Sequence, residues 1–256
     1  MKREDPTKRL APATRGFPHR LLVLSLLLAA VTEAQSAHIY WCNAAGTDIR
    51  RANLDGSGQN VLVAGITGPL GPTLDIEAGK MYWGDTGRGA IRQANLDGTD
   101  QKTVVSGQSR PGPPALDFAT GWMYWNNATS GEIRRARFNG TEQTGLFRGQ
   151  NDPHQLVLDP VGGHIYWPNF GGGDIRRANV DGTGMTVLIP ALAGPSLLTL
   201  DIPGGKIYWT SHGTDDIRRA TLDATDQEVL IRNLNDPTGI ALDIANGHVY
   251  WSKPRW

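Results

Sequence analysis

Gly205-Lys206-Ile207-Tyr208-Trp209 decides the fold, because the chain says nearly the same thing six times. Tyr-Trp stands at Tyr40-Trp41, Tyr82-Trp83, Tyr124-Trp125, Tyr166-Trp167, Tyr208-Trp209 and Tyr250-Trp251, always 42 residues apart with no insertion. A fixed period of this length marks one supersecondary unit copied many times. After Tyr-Trp comes a short turn, then Ile-Arg-x-Ala at Ile49, Ile91, Ile133, Ile175 and Ile217, with Arg137 following Ala136 in the third copy. A tight turn follows, Asp55-Gly56, Asp97-Gly98, Asn139-Gly140, Asp181-Gly182 and Asp223-Ala224. Next are a short apolar run such as Val187-Leu188-Ile189, a proline (Pro69, Pro111, Pro153, Pro195, Pro237), and Leu-Asp from Leu74-Asp75 to Leu242-Asp243.

Each period thus holds four apolar runs, β-rich and too short for helices, separated by Gly, Asp, Asn and Pro. Asp-Gly and Asn-Gly suit tight hairpins, since glycine takes positive φ without steric cost. Four antiparallel strands per unit make one blade of a β-propeller. Adjacent strand residues point to opposite faces, so the Tyr and the Trp of each pair enter two different inter-blade layers. Six equally spaced aromatic pairs are therefore read as core; a ligand cage needs no such symmetry.

The repeat resembles the low-density lipoprotein receptor class B, or YWTD, repeat. Asp216-Ile217-Arg218-Arg219-Ala220 and Pro237-Thr238-Gly239-Ile240-Ala241-Leu242-Asp243 carry the likeness, which extends over residues 38–251. It implies a six-bladed propeller serving as an extracellular or envelope interaction module. The Thr-Asp half of the motif is never intact: Cys42-Asn43, Gly84-Asp85, Asn126-Asn127, Pro168-Asn169, Thr210-Ser211 and Ser252-Lys253 stand there. The chain is thus identified as a divergent member, to which partner specificity does not carry over. No Trp-Asp dipeptide occurs, unlike the WD class.

The ends are irregular. The first copy starts at its Tyr-Trp run without a Leu-Asp run, and the last stops soon after Tyr250-Trp251. The runs number 21, against 24 for six complete blades and 20 for five. Six-bladed geometry with incomplete terminal blades is expected, with five-bladed closure and self-association through the incomplete blades left open. Residues 1–36 read basic, then apolar over Leu21–Val31, then small. That order is a secretory signal peptide, too short to span a bilayer comfortably, which places the propeller at 37–256 and the protein outside the cytoplasm, secreted, periplasmic or on the cell surface. No second membrane segment is present. From residue 37 on, 19 Lys and Arg face 22 Asp and Glu, no footprint for nucleic acid. Cys42 is the sole cysteine, either a buried free thiol or a site of dimerisation.

Function must come from what breaks the repeat. The hairpin turns are nearly uniform. The turns after Tyr-Trp and the proline links vary, and both are expected on one face around the channel mouth. Phe170, His154, His212 and Arg88 interrupt their columns there and are the candidate partner-binding residues. His38, His164 and His248 occupy a regular column, and the periodic Arg50, Arg92, Arg134, Arg176 and Arg218 read as structural. Asn127-Ala128-Thr129 and Asn139-Gly140-Thr141 are glycan acceptors in a eukaryotic secretory route. No catalytic triad, P-loop or zinc pattern appears, and no cofactor is implied. The expected function is non-catalytic recognition of a protein or glycan. The alternatives are a metal-dependent lactonase-like enzyme, for which Asp85, Asp152, His154 and Asp236 are the available ligands, and a partial ring completed by partner chains.

Overall fold

The computed structural model describes residues 22–23, 37–43 and 47–252, which build five four-stranded antiparallel blades and a sixth, two-stranded sheet. In blade 2 the strands are Pro69–Asp75, Lys80–Asp85, Ala90–Asn95 and Lys102–Val105, ordered in space as in sequence. The Leu-Asp run is the first strand, Tyr-Trp the second, Ile-Arg-x-Ala the third, and the apolar run after the hairpin the fourth. Blades 3, 4 and 5 repeat this order, and the register hardly changes. Each Trp of the second strand faces an Arg of the third, as in Trp83↔Arg92, Trp125↔Arg134, Trp167↔Arg176 and Trp209↔Arg218. The sixth sheet has only Gly239–Asp243 and His248–Ser252.

Blade 1 holds His38–Asn43, Asp48–Asn53 and Asn60–Val63, with Leu22–Val23 paired to its Tyr-Trp strand at Asn43 and Cys42. The 21-run count left this first-strand position empty; two residues from the apolar stretch of the expected leader take it. The rest of residues 1–36 lies outside the described residues. Among the described residues no helix is long and apolar enough to cross a membrane.

The core lies between blades. Tyr40 of blade 1 clusters with Met81 and Trp83 of blade 2, and Tyr82 with Met123 and Trp125 of blade 3. Tyr124 joins Ile165 and Trp167, and Tyr166 joins Ile207 and Trp209. Tyrosine thus packs forward and tryptophan backward, as strand alternation requires. Cys42 is a buried free thiol in the layer between blades 1 and 2. Burial is the main reason its pKa stands far above the ordinary thiol value. A thiol so placed is not available for an intermolecular disulfide.

Candidate binding face

Backbone hydrogen bonds fix which loops share a face. Ala128 N–H donates to Arg110 O, Phe170 N–H to Asp152 O and His212 N–H to Gly194 O, joining each turn after Tyr-Trp to the link that leads into its own blade. On the opposite face the hairpins join the turns after Leu-Asp, as Leu96 N–H does with Gly79 O and Val180 N–H with Gly163 O. The opposite-face hairpins carry the same internal cap each time. Asp97 Oδ1 accepts from Thr99 Oγ1 at 2.6 Å and its N–H at 2.9 Å, and Asp181 Oδ1 from Thr183 Oγ1 at 2.7 Å and its N–H at 2.8 Å, bonds, the hydroxyl one foremost, that hold both carboxyls below their ordinary range.

The variable face contains a column of backbone strain. The residue before each link proline has left-handed φ: Gly68 63°, Arg110 56°, Asp152 50°, Gly194 60° and Asp236 61°. Two copies use glycine, for which this conformation is cheap; the others hold a charged side chain in it, at about 1–2 kcal/mol each. At Gly194 a side chain would also be crowded, since a Cβ there would sit 3.2 Å from Phe170 Cε2.

The strained residues reach the rings that break the repeat. Phe170 opens a single 3-10 turn, Phe170–Gly172, and its ring lies half-buried between two imidazoles. His154 stacks on it with centroids 4.9 Å apart and planes at 9°, and His212 lies against it at 5.8 Å. His212 Nδ1 is bonded to Asp236 Oδ1. His154 Nδ1 meets Ser196 O at 3.2 Å, and its Nε2 is 3.7 Å from Asp152 Oδ2, which in turn is the residue paired with Arg110 across 3.8 Å. Burial lowers the His154 pKa, more than Asp152 raises it. The links and turns of blades 3 to 5 and of the sixth sheet therefore meet in one patch, with Arg110 and His212 on its exposed rim.

His154, Phe170 and His212 are thus brought together, whereas Arg88 stands at blade 2, bonded to the buried Asp85 at 3.0 Å. The sequence marked Asp152 and Asp236 only as available ligands for the enzymatic alternative, and left Arg110 unnamed among the variable proline links. Their signal was the glycine at the same position in the two other copies. A second unread column is Gln108 and Gln150, where Ile66, Leu192 and Leu234 stand in other copies. Their Oε1 atoms accept from Trp125 Nε1 at 3.0 Å and Trp167 Nε1 at 3.2 Å, while Trp83 Nε1 and Trp209 Nε1 are buried without a hydrogen-bond partner in this structure.

The remaining marked residues have local roles. Arg50, Arg176 and Arg218 each bond the Asp two positions earlier on their own strand, and Arg134 does so with Glu132. In blade 2 Ala90 takes the acid's place, and Arg92 lies instead over Trp83 and 3.8 Å from Asp85. His38, His164 and His248 sit edge-on to Tyr40, Tyr166 and Tyr250. Asn127 is buried and donates to Gln108, so its amide is not presented for glycosylation. Asn139 is exposed, its Oδ1 accepting from Thr141 N–H at 3.0 Å. Among the described residues no group of three or more His, Cys, Asp or Glu is placed to hold a metal ion.

Residues 205–244, from the Tyr-Trp strand of blade 5 through the next Leu-Asp strand, match the family described as low-density lipoprotein receptor repeat class B. The chain carries a class B repeat. No curated protein matches the chain in sequence. Among solved structures it is similar to one of a nidogen/laminin complex, with TM-score 0.74 and 23% identity over 84% of each chain. A gluconolactonase from Xanthomonas campestris matches at TM-score 0.71 and 15% identity, over 86% of this chain and 80% of that one. A streptogramin B lyase matches at TM-score 0.68 and 19% identity, over 85% of this chain and 73% of that one. At such identities the likeness establishes the propeller and nothing of its task, and class B propellers share the architecture with enzymes.

Proposed function

We propose that the chain is a non-catalytic binding module that holds a protein partner, with glycan as the second ligand class, on the face built by Arg110, Asp152, His154, Phe170, His212 and Asp236. The observation that carries this reading is the ring cluster, in which His154 and His212 pack on Phe170 from separate loops, His154 bonded to Ser196 O and His212 to Asp236. No repeat contact calls for these rings: Thr86 and Ala128 stand in the column of Phe170 and His212, and Leu70, Gly112, Ser196 and Thr238 in that of His154. The patch joins an aromatic ring, imidazoles, carboxylates and a guanidinium, the mixture found where binding energy concentrates. A module of this kind works outside the cytoplasm, and the basic, apolar, small order of residues 1–36 supports export.

The test is an affinity comparison against purified surface proteins and glycans of the source organism. Arg110→Ala, His212→Ala and Phe170→Ala each weaken the partner that wild type captures, whereas Asp97→Ala and Asp181→Ala on the hairpin face do not. Weakening by the hairpin-face changes alone refutes the assignment. Turnover of a lactone or ester that is lost with His212→Ala would establish the enzymatic alternative.

A further inference from the structure

The two faces of the propeller carry opposite charge. The contrast is plainest in blades 2 to 4, each of which packs against a described blade on either side. At the hairpin end of these blades the exposed acids are Glu77, Asp97, Asp100, Glu142 and Asp181, and among the described residues there the exposed cation is Lys102. On the channel-mouth face the order is reversed. The side chains of Arg88, Arg110 and Arg148 are 53%, 60% and 82% exposed, while Asp85 and Asp174 are buried and Glu132 and Asp152 half-buried. Backbone bonds hold the three arginines on one rim, since Gln108 N–H donates to Gly89 O, Ala128 N–H to Arg110 O and Gln150 N–H to Gly131 O.

Two of these arginines are additions to a pair that the repeat already makes. In blades 1, 4 and 5 one third-strand Arg holds the one Asp two positions before it. In blade 2 Asp85 meets Arg92 at 3.8 Å and also Arg88 at 3.0 Å, and in blade 3 Glu132 meets Arg134 at 3.4 Å and also Arg148 at 3.3 Å. Two guanidinium groups on one carboxylate leave a net positive charge at each place. Asp152 is shared as well, between Arg110 at 3.8 Å and His154 at 3.7 Å. The blade itself does not need the outer cations. Ser130, Gly172 and Thr214 stand in the column of Arg88, and Ala64, Ser106 and Pro190 in that of Arg148, which Arg232, also exposed, repeats once. Each outer guanidinium carries several N–H donors, more than a shared carboxylate can occupy.

Taking the channel-mouth face as the binding site, as proposed above, we infer that its partner is an acidic protein segment, whose carboxylates pair with Arg88, Arg110 and Arg148. Arginine at all three positions suits carboxylates, which its planar fork holds through paired hydrogen bonds. A sulfated glycan has the same sign, but its closely spaced charges would also lie against Glu132 and Asp152, whereas a peptide can space its carboxylates to meet the cations alone. The acidic hairpin face repels the same partner, so the disc orients it on approach. That steering fades with salt, because exposed charges are screened beyond about 8 Å at physiological ionic strength.

The probe is a synthetic peptide alternating Glu and Ser around a central Leu, with Lys in place of Glu as control, titrated into the full chain at low and at physiological salt. The acidic peptide should bind by calorimetry, more weakly at the higher salt, and the Lys peptide should not bind. A triple variant, Arg88→Gln with Arg110→Glu and Arg148→Glu, should bind it about tenfold or more weakly with an unchanged far-UV spectrum. Lys102→Glu, on the hairpin side, should leave its affinity as it is. Equal binding of the two peptides, binding of neither, or full affinity in the triple variant overturns the proposal. A heparin fragment that outbinds the peptide and is lost in the triple variant assigns the arginines to a glycan. A mass that rises with concentration at low salt, and not in the triple variant, assigns them to the hairpin face of a second copy; both results overturn it too. If a partner captured by wild type is weakened by Phe170→Ala but not by the triple variant, the face binds as proposed and the acidic partner alone is refuted.

Discussion

Arg110→Gly should make this protein more stable, against the usual direction of a mutation that removes contacts. Arg110 holds φ 56° immediately before Pro111, a conformation that costs a side-chain-bearing residue about 1–2 kcal/mol. Glycine removes that cost but gives the unfolded chain more freedom, which takes back about 0.4–1 kcal/mol. The guanidinium's ion pair with Asp152, 3.8 Å long with Arg110 60% exposed, is of the kind that contributes only about 0–1 kcal/mol, here at the low end. The net expectation is a gain of about 0.5–1 kcal/mol, or roughly 1–4 °C in melting temperature for a domain of this size. Arg110→Ala is the control, since it deletes the guanidinium and keeps the strain. Urea unfolding, read at constant m, measures both. If Arg110→Gly lowers stability by about 1 kcal/mol or more, the side chain is a structural member and the strain argument fails. If it stabilises the protein while partner affinity falls, strain has been retained for binding.

Other expectations follow from the same geometry. Trp125→Ala and Trp167→Ala should each cost roughly 3–5 kcal/mol in denaturant unfolding, and Trp251→Ala clearly less, because its ring is already 41% exposed; equal losses would contradict the open sixth sheet. Gln150→Leu restores the side chain of Leu192 but strands Trp167 Nε1 and removes a bond to Arg176 Nη1, so a loss of about 1–3 kcal/mol is expected by the same assay. His154 has a lowered folded pKa, so the unfolded chain binds its proton first. Its contribution to stability is complete above pH 6.5, the ordinary value, and is lost as pH falls towards the folded pKa. His154→Gln should flatten that limb of the stability curve, and an unchanged limb would mean that other groups carry it.

The blade was legible because its determinants are local and repeated: a hairpin Asp-Gly, two aromatics on opposite faces of a strand, an Arg two residues from its acid. Averaging six copies exposes such columns. The channel-mouth site was legible only in its bulky members. His154, Phe170 and His212 announce themselves by size, but Arg110, Asp152 and Asp236 matter through a φ angle, visible only when glycine in two copies is read as a conformational demand shared by the others. Stacking of His154 on Phe170 joins a link to a turn across the mouth, and no spacing rule encodes that distance. The place of Leu22–Val23 was hidden for a different reason. An apolar stretch satisfies the needs of an export leader and of an inner strand alike, so composition does not separate them.

An unbroken period of 42 residues also has a consequence for how the chain reaches this ring. Every inter-blade layer offers nearly the same Ile, Ala, Tyr and Trp surface, so during folding a blade meets several wrong neighbours that fit almost as well as the right one. Skipping a blade, or exchanging one with another chain, preserves most contacts and is penalised mainly where copies differ. Those differences include the glutamines at 108 and 150, Met81 and Met123 where Ile165 and Ile207 stand in other layers, Ala90 in place of an acid, and Phe138 against Tyr82. They are the labels by which otherwise interchangeable blades are ordered. A chain made uniform at these positions should keep its secondary structure while populating misordered rings and exchanged oligomers, separable by size-exclusion chromatography after refolding at increasing concentration.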